Sequence, residues 1–154
     1  MRLESRRMAR FYDIDDANAL LPELATIVGV LGEQRAELVR LRDDVLASGK
    51  SGSAEAPTAV GGATGSPDGP PISSELRLTR LRMQGLIDQM AAGVARIDSL
   101  GLTLRDIEKG LVDFPALVSG RQVWLCWRLG EASIGWWHGL ETGFDGRQPL
   151  AELA

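Results

Sequence analysis

Apolar residues recur early in the chain at alternating steps of four and three. They are Leu20, Leu24, Ile27, Leu31, Leu38, Leu41 and Val45, with Gln34 as the one polar member of the series. That spacing keeps one face of an α-helix apolar and gives it a coiled-coil-like seam. Asp13 is placed to cap this helix, with Asp16 three residues on. Pro22 is expected to kink or restart it, because proline removes a backbone donor. The pattern predicts a first helical segment over 11–47. A second seam has the same steps: Leu76, Arg80, Met83, Ile87, Met90, Val94, Ile97 and Gly101. It predicts a helix over 72–101, capped by Ser73 or Ser74 and ended by Gly101. Two helices of similar length should pack as an antiparallel hairpin. Arg80, on the seam, has to snorkel or find a carboxylate. Gly85 and Gly93 offer room for a close approach.

Residues 48–71 break the pattern. They are rich in Gly, Ser, Ala and Pro and hold no aromatic residue, the composition of a flexible linker. "GKS" at Gly49 to Ser51 resembles the end of a P-loop, but Asp44 stands where that motif needs glycine and no strand precedes it.

After Gly101 the apolar period changes to two. "LTLRD", "LVDFPALV", "RQVWLCWRLG" and "ASIGWWHG" alternate like strands, with turns at 107–110, at Ser119-Gly120 and at Gly130-Glu131. Residues 102–139 are therefore expected to form a β-meander, and 140–154 a loop and tail anchored by Phe144. The fold class that emerges is α+β: a long antiparallel helical hairpin followed by a small three- or four-stranded antiparallel β-meander.

The Ser119-Gly120 turn sets a register, with Val118 facing Arg121, Phe114 facing Leu125 and Asp113 facing Cys126. Since side chains alternate between faces, one face carries Leu111, Asp113, Trp124, Cys126 and Arg128. The other carries Val112, Phe114, Val123, Leu125, Trp127 and Leu129. An even-numbered turn at Gly130 adds Ile134, Trp136 and His138 to the second face and Trp137 to the first. Cys126 and His138, the chain's single cysteine and single histidine, then point to opposite sides, which argues against a Cys–His nucleophile pair or a shared metal. A bulge at Gly135 would reverse this. No metal site is expected, and no cofactor is identified.

Composition excludes more than it selects. The net charge is −4 and 44% of residues are hydrophobic. Charges of both signs are spread along the chain, so no affinity for nucleic acid is expected. The basic arm 1–10 lacks the apolar run of a secretory signal, and no run approaches the ~18 residues of a membrane span. A single cysteine makes no internal disulfide. A cytoplasmic protein without membrane association is expected.

The polar set Asp113, Arg121, Arg128, Glu131, His138 and Arg147 is a candidate ligand or anion site, because arginines beside flexible glycines ("GRQ" at 120–122 and 146–148) suit anion recognition. Each member also has a plain reading. Asp113 is placed to pair with Arg128, Cys126 and the tryptophans suit a core, and surface arginines are usually solvated. No residue is assigned a catalytic role.

"RFYDIDDANALLPEL", "GLVDFPAL…GRQVWLCWRLGE" and "IGWWHGLETGFDGRQPL" resemble the uncharacterised prokaryotic family termed domain of unknown function 2203. The resemblance runs over nearly the whole chain from about Met8, the linker apart. It implies a small, largely helical cytoplasmic protein of bacteria or archaea, and it brings no catalytic residues with it. It marks Asp113, Phe114, Pro115, Gly120, Arg121, Cys126, Trp127, Gly130, Glu131, Trp137, His138, Gly143, Phe144, Gly146 and Arg147 as motif positions. The long linker and the basic first residues depart from the family pattern.

Two functions compete. The first is a non-enzymatic interaction or scaffold module, a homodimer through the helices or one sheet face and open to a protein partner. The alternative binds a small ligand, an anion or a metal on the meander and the Gly-rich C-terminal loop, with or without catalysis.

Overall fold

The computed structural model describes residues 10–52 and 73–152. Two helices, α1 (Ile14–Gly52) and α2 (Ser74–Ser99), precede five strands. These are β1 (Thr103–Asp106), β2 (Leu111–Val118), β3 (Arg121–Arg128), β4 (Trp136–His138) and β5 (Gln148–Pro149). The strands form one antiparallel sheet in the order β1-β2-β3-β4-β5. The α+β class follows directly. The sheet has one strand more than the apolar alternation predicts, because β5 is too short and polar to show a period and lies in the expected tail.

The helix starts are read correctly from their caps. The Asp13 carboxylate accepts the Asp16 backbone N–H at 2.7 Å, and the Ser73 hydroxyl oxygen accepts that of Leu76 at 3.2 Å. Gly101, at φ +77°, ends the chain's second helix in the left-handed conformation that glycine tolerates. α1 passes through Pro22 without a break and continues over Ser48 to Gly52. The rest of the expected linker, 53–71, lies outside the described residues, as do most of the basic arm and the last two residues of the tail.

The chain divides into two compact units, Met1–Glu33 with Ala91–Ala154, and Gln34–Met90. In the first unit, Ala17, Leu21, Leu24, Val28 and Leu31 are buried along α1. Leu21 and Val28, rather than Leu20 and Ile27, share the seam with Leu24 and Leu31. One sheet face supplies the other half of this core, with Val112, Phe114, Val123, Leu125 and Trp127 all buried. Tyr12 meets Phe114 edge-on at 5.5 Å between ring centroids. Arg96 pairs with Glu23 at 2.7 Å, and Gly93 lies against Leu31.

In the second unit the helix segments again run antiparallel. The Gln34 side chain donates to that of Gln89 at 3.1 Å, and Arg82 pairs with Glu37. Arg80 and Ile87, both expected on the seam, are exposed, and Leu86 is buried instead. The α2 stripe thus keeps Leu76, Met83 and Met90, all half-buried, and takes Leu86 in place of Ile87.

Gly110, at φ +68°, closes the β1–β2 turn. A Cβ there would lie 2.6 Å from the Leu129 Cβ and 3.2 Å from Val28 Cγ1. Gly110→Ala therefore combines backbone strain with overpacking and is expected to cost about 2–4 kcal/mol. Gly29→Ala, in a helix with nothing within 4 Å of the new methyl, should be neutral or stabilising by up to about 1 kcal/mol. Denaturant midpoints followed by tryptophan fluorescence report the sheet unit, which holds Trp124, Trp127, Trp136 and Trp137, and should fall for Gly110→Ala and hold or rise for Gly29→Ala.

Candidate functional site

The β2–β3 register is the one the Ser119-Gly120 turn dictates. Both turn residues have positive φ, 51° and 76°, which matches the twist of a two-residue hairpin. Asp113 therefore stands directly opposite Cys126. The third strand corrects the sequence reading. Leu125 faces Trp137 and Trp124 faces His138, one residue away from the register an even turn produces. His138 and Trp136 thus share the face of Asp113 and Cys126, and Trp137 moves to the other.

The physical reason lies in the connection 129–135, which is longer than a hairpin turn and odd in length. It is held by contacts that no turn rule contains. Trp127 Nε1–H donates to the Glu131 carbonyl at 2.9 Å. The Arg128 N–H donates to Glu131 Oε1 at 2.7 Å. The Ile134 N–H donates to Asn18 Oδ1, on α1, at 2.7 Å.

The outcome is a compact buried cluster. A carboxylate oxygen of Asp113, the Cys126 Sγ and a ring nitrogen of His138 all lie within 4.8 Å of one another. The three residues are 2%, 2% and 3% exposed. Asp113 Oδ2 accepts from Arg105 Nε at 2.8 Å and lies 2.9 Å from His138 Nε2. The other ring nitrogen, Nδ1, is 2.9 Å from the Gly139 carbonyl.

Both histidine nitrogens therefore face oxygens that accept. A neutral imidazole has one donor and one acceptor nitrogen. One of the two contacts is therefore a hydrogen bond from the ring N–H, and the other sets a ring lone pair beside an oxygen. Burial, reinforced by the Asp113 charge, pushes the Cys126 thiol up to about 12.

The cluster forms one wall of a cavity of about 390 Å³. Arg105 and Leu111 extend that wall, and the segment from Leu140 to Phe144 closes the other side. Of the candidate residues chosen from sequence, Asp113 and His138 stand here. Glu131 and Arg147 form a neighbouring ion pair at 2.7 Å, with the guanidinium 4.5 Å from the Trp136 ring and 4.9 Å from that of Phe144. Arg128 is exposed and sits across from Leu111, so its expected pairing with Asp113 gives way to Arg105 and His138. Arg121 is exposed beside the Ser119-Gly120 turn.

Two members of the cluster are absent from the sequence-derived set. The Ser119-Gly120 turn places Cys126 opposite Asp113, but an even third-strand register separates it from His138. Arg105 is the residue at the register shift between Leu104 and Asp106, so simple alternation could not aim it at Asp113.

The chain belongs to the family described as "Uncharacterized conserved protein (DUF2203)", which it matches over residues 10–150. No curated protein and no solved structure matches it. Among the described residues, no helix is long and apolar enough to cross a membrane.

The thiol environment is directly measurable. With a pKa of about 12, the thiolate fraction at pH 8 is on the order of one in ten thousand. In chelator-treated native protein, Cys126 should react with iodoacetamide at least about a hundredfold more slowly than in the unfolded chain. Asp113→Asn should accelerate the reaction, because it removes a negative charge that disfavours the thiolate. The raised folded value also sets a sign for stability. The thiol's contribution is intact below the unfolded value near 9 and is lost as pH rises toward 12. Thermal midpoints measured across that range should fall less steeply in Cys126→Ala.

Proposed function

We propose that this protein binds a small anionic ligand in the cavity between the outer face of the sheet and the segment Leu140–Phe144. One observation carries the reading: among the described residues, the two buried polar or charged side chains are Asp113 and His138, and both stand on the wall of this cavity. Burying ionisable groups is costly unless they are paired, and nothing in the packing of the opposite, apolar face requires them.

Arg105 is the cation on the wall, which also carries the carboxylates of Asp113 and Glu141, and its guanidinium is the group an anion would seek there. Arg105 holds Asp113 through Nε and lies 5.1 Å from the Trp124 ring, half exposed. Its terminal guanidinium nitrogens suit a carboxylate or phosphate. Leu111, Leu140 and Phe144 offer an apolar surface to the rest of such a molecule. Glu131 and Arg147, bound to each other, act as a brace under Trp136 and Phe144 rather than as ligand contacts. This reading involves binding and no chemical step.

Thermal shift and calorimetry of the full chain against inorganic phosphate, pyrophosphate, acetate and citrate test it. A ligand at a hundred times its Kd adds about 2.7 kcal/mol, a rise of several degrees. Arg105→Ala should abolish that rise. Absence of a response to all four probes overturns the reading.

A second reading has its own observation. In the Gln34–Met90 unit, Leu46, Leu78, Leu81 and Ile87 are each 46% or more exposed. Apolar helix side chains left uncovered in this number suit a second copy of the chain, the homodimer through the helices expected from the heptads. Light scattering at micromolar concentration should return twice the chain mass, and Leu78→Glu with Leu81→Glu should halve it. A monomeric wild-type chain removes this reading.

A further inference from the structure

We propose that Asp113, Cys126 and His138 bind one transition-metal dication of the zinc class, with a fourth coordination position opening into the cavity. The donor set selects the metal. A thiolate, an imidazole and a carboxylate together suit zinc and its borderline neighbours, whereas calcium and magnesium take oxygen ligands and avoid sulfur.

The geometry is close to what the metal needs. Ligand atoms about 2.0–2.3 Å from a tetrahedral zinc lie roughly 3.2–3.8 Å from one another. The three atoms here lie within 4.8 Å of each other, with Asp113 Oδ2 and His138 Nε2 already at 2.9 Å. Adjustments of a few tenths of an ångström up to about 1 Å would admit the ion. The ligands also stand on rigid elements, one on each of β2, β3 and β4, with Asp113 and Cys126 directly paired and His138 diagonal to Cys126.

His138 carries the further mark of a ligating histidine. Its Nδ1 faces the Gly139 carbonyl at 2.9 Å. With the ring proton on Nδ1, this contact turns the Nε2 lone pair toward Asp113 and Cys126, the outer-shell arrangement that fixes the tautomer of metal-bound imidazoles.

The exchange balances. The dication binds the thiolate as the Cys126 proton leaves to solvent, while His138 offers its Nε2 lone pair and Asp113 a carboxylate oxygen. Arg105 keeps its place on the outer side of Asp113. The remaining position faces the cavity, where a water or the anionic ligand proposed above completes the coordination. Only that fourth position rests on the ligand-binding reading; the three protein ligands do not.

The test uses the full chain prepared without a histidine tag, stripped with chelator and titrated with cobalt(II) followed by zinc(II). One equivalent of cobalt should produce a sulfur-to-cobalt charge-transfer band in the near ultraviolet and visible bands of tetrahedral intensity, and zinc should bleach both. Cys126→Ala should lose the charge-transfer band. Asp113→Asn and His138→Gln should weaken cobalt binding at least about tenfold, with folding checked by tryptophan fluorescence. A wild-type chain showing no charge-transfer band at stoichiometric cobalt overturns the proposal, and this readout needs no variant to fold. A band that survives in Cys126→Ala overturns it as well. Arg105→Ala, which abolishes the anion response, should keep the cobalt spectrum, so failure of the ligand reading and failure of the metal reading are distinguishable.

Discussion

The pairing of Cys126 with Trp136 across β3 and β4 decides what kind of surface this sheet presents. In a strand the side-chain period is two, so a slip of one residue would exchange every member of β4 between faces. In the alternative register, His138 would enter the apolar layer of Phe114, Leu125 and Trp127, where nothing matches its two nitrogens. In the observed register it meets a carboxylate and a carbonyl oxygen instead. The odd connection 129–135 selects between these outcomes. Its own anchors, Glu131 on the end of β3 and Asn18 on α1, tie the choice to the packing of the helix against the sheet.

The two faces then follow different physics. The inner face is held by burial of apolar surface, with Phe114, Leu125 and Trp127 at 2% exposure or less beside Leu24, Val28 and Ile97. The outer face is organised by charge and by aromatic platforms. Arg105 neutralises Asp113 and lies over Trp124, while Arg147 neutralises Glu131 and lies over Trp136. Each arginine joins a carboxylate to an indole, and the Cys126–His138 pair sits between the two units of this pattern. An arginine in such a place contributes through stacking as well as charge, which lysine would not reproduce.

This division explains why a chain with so little obvious catalytic vocabulary can hold a site. Asp113, Cys126 and His138 are distant in sequence and match no compact ligand motif. They converge because a meander stacks three successive strands side by side, and residues at matching register positions become neighbours. The cavity against them is completed by Leu140–Phe144, the Gly-containing segment that follows β4.

Much of this was legible in the residues alone, wherever the controlling interaction is local. The caps at Asp13 and Ser73, the helix end at Gly101 and the Ser119-Gly120 turn are each decided within a few residues, and the turn alone carries the β2–β3 register and the shared face of Asp113 and Cys126. The face of His138, the approach of Arg105 and the existence of β5 were decided by tertiary structure. So was the burial of Leu86 in place of Ile87, because a heptad step defines a stripe on a helix but not its rotation against a neighbour. In each of these the competing local arrangements are close in energy. A contact from elsewhere in the chain, such as Asn18 to Ile134 or Arg105 to Asp113, supplies the difference that selects one of them.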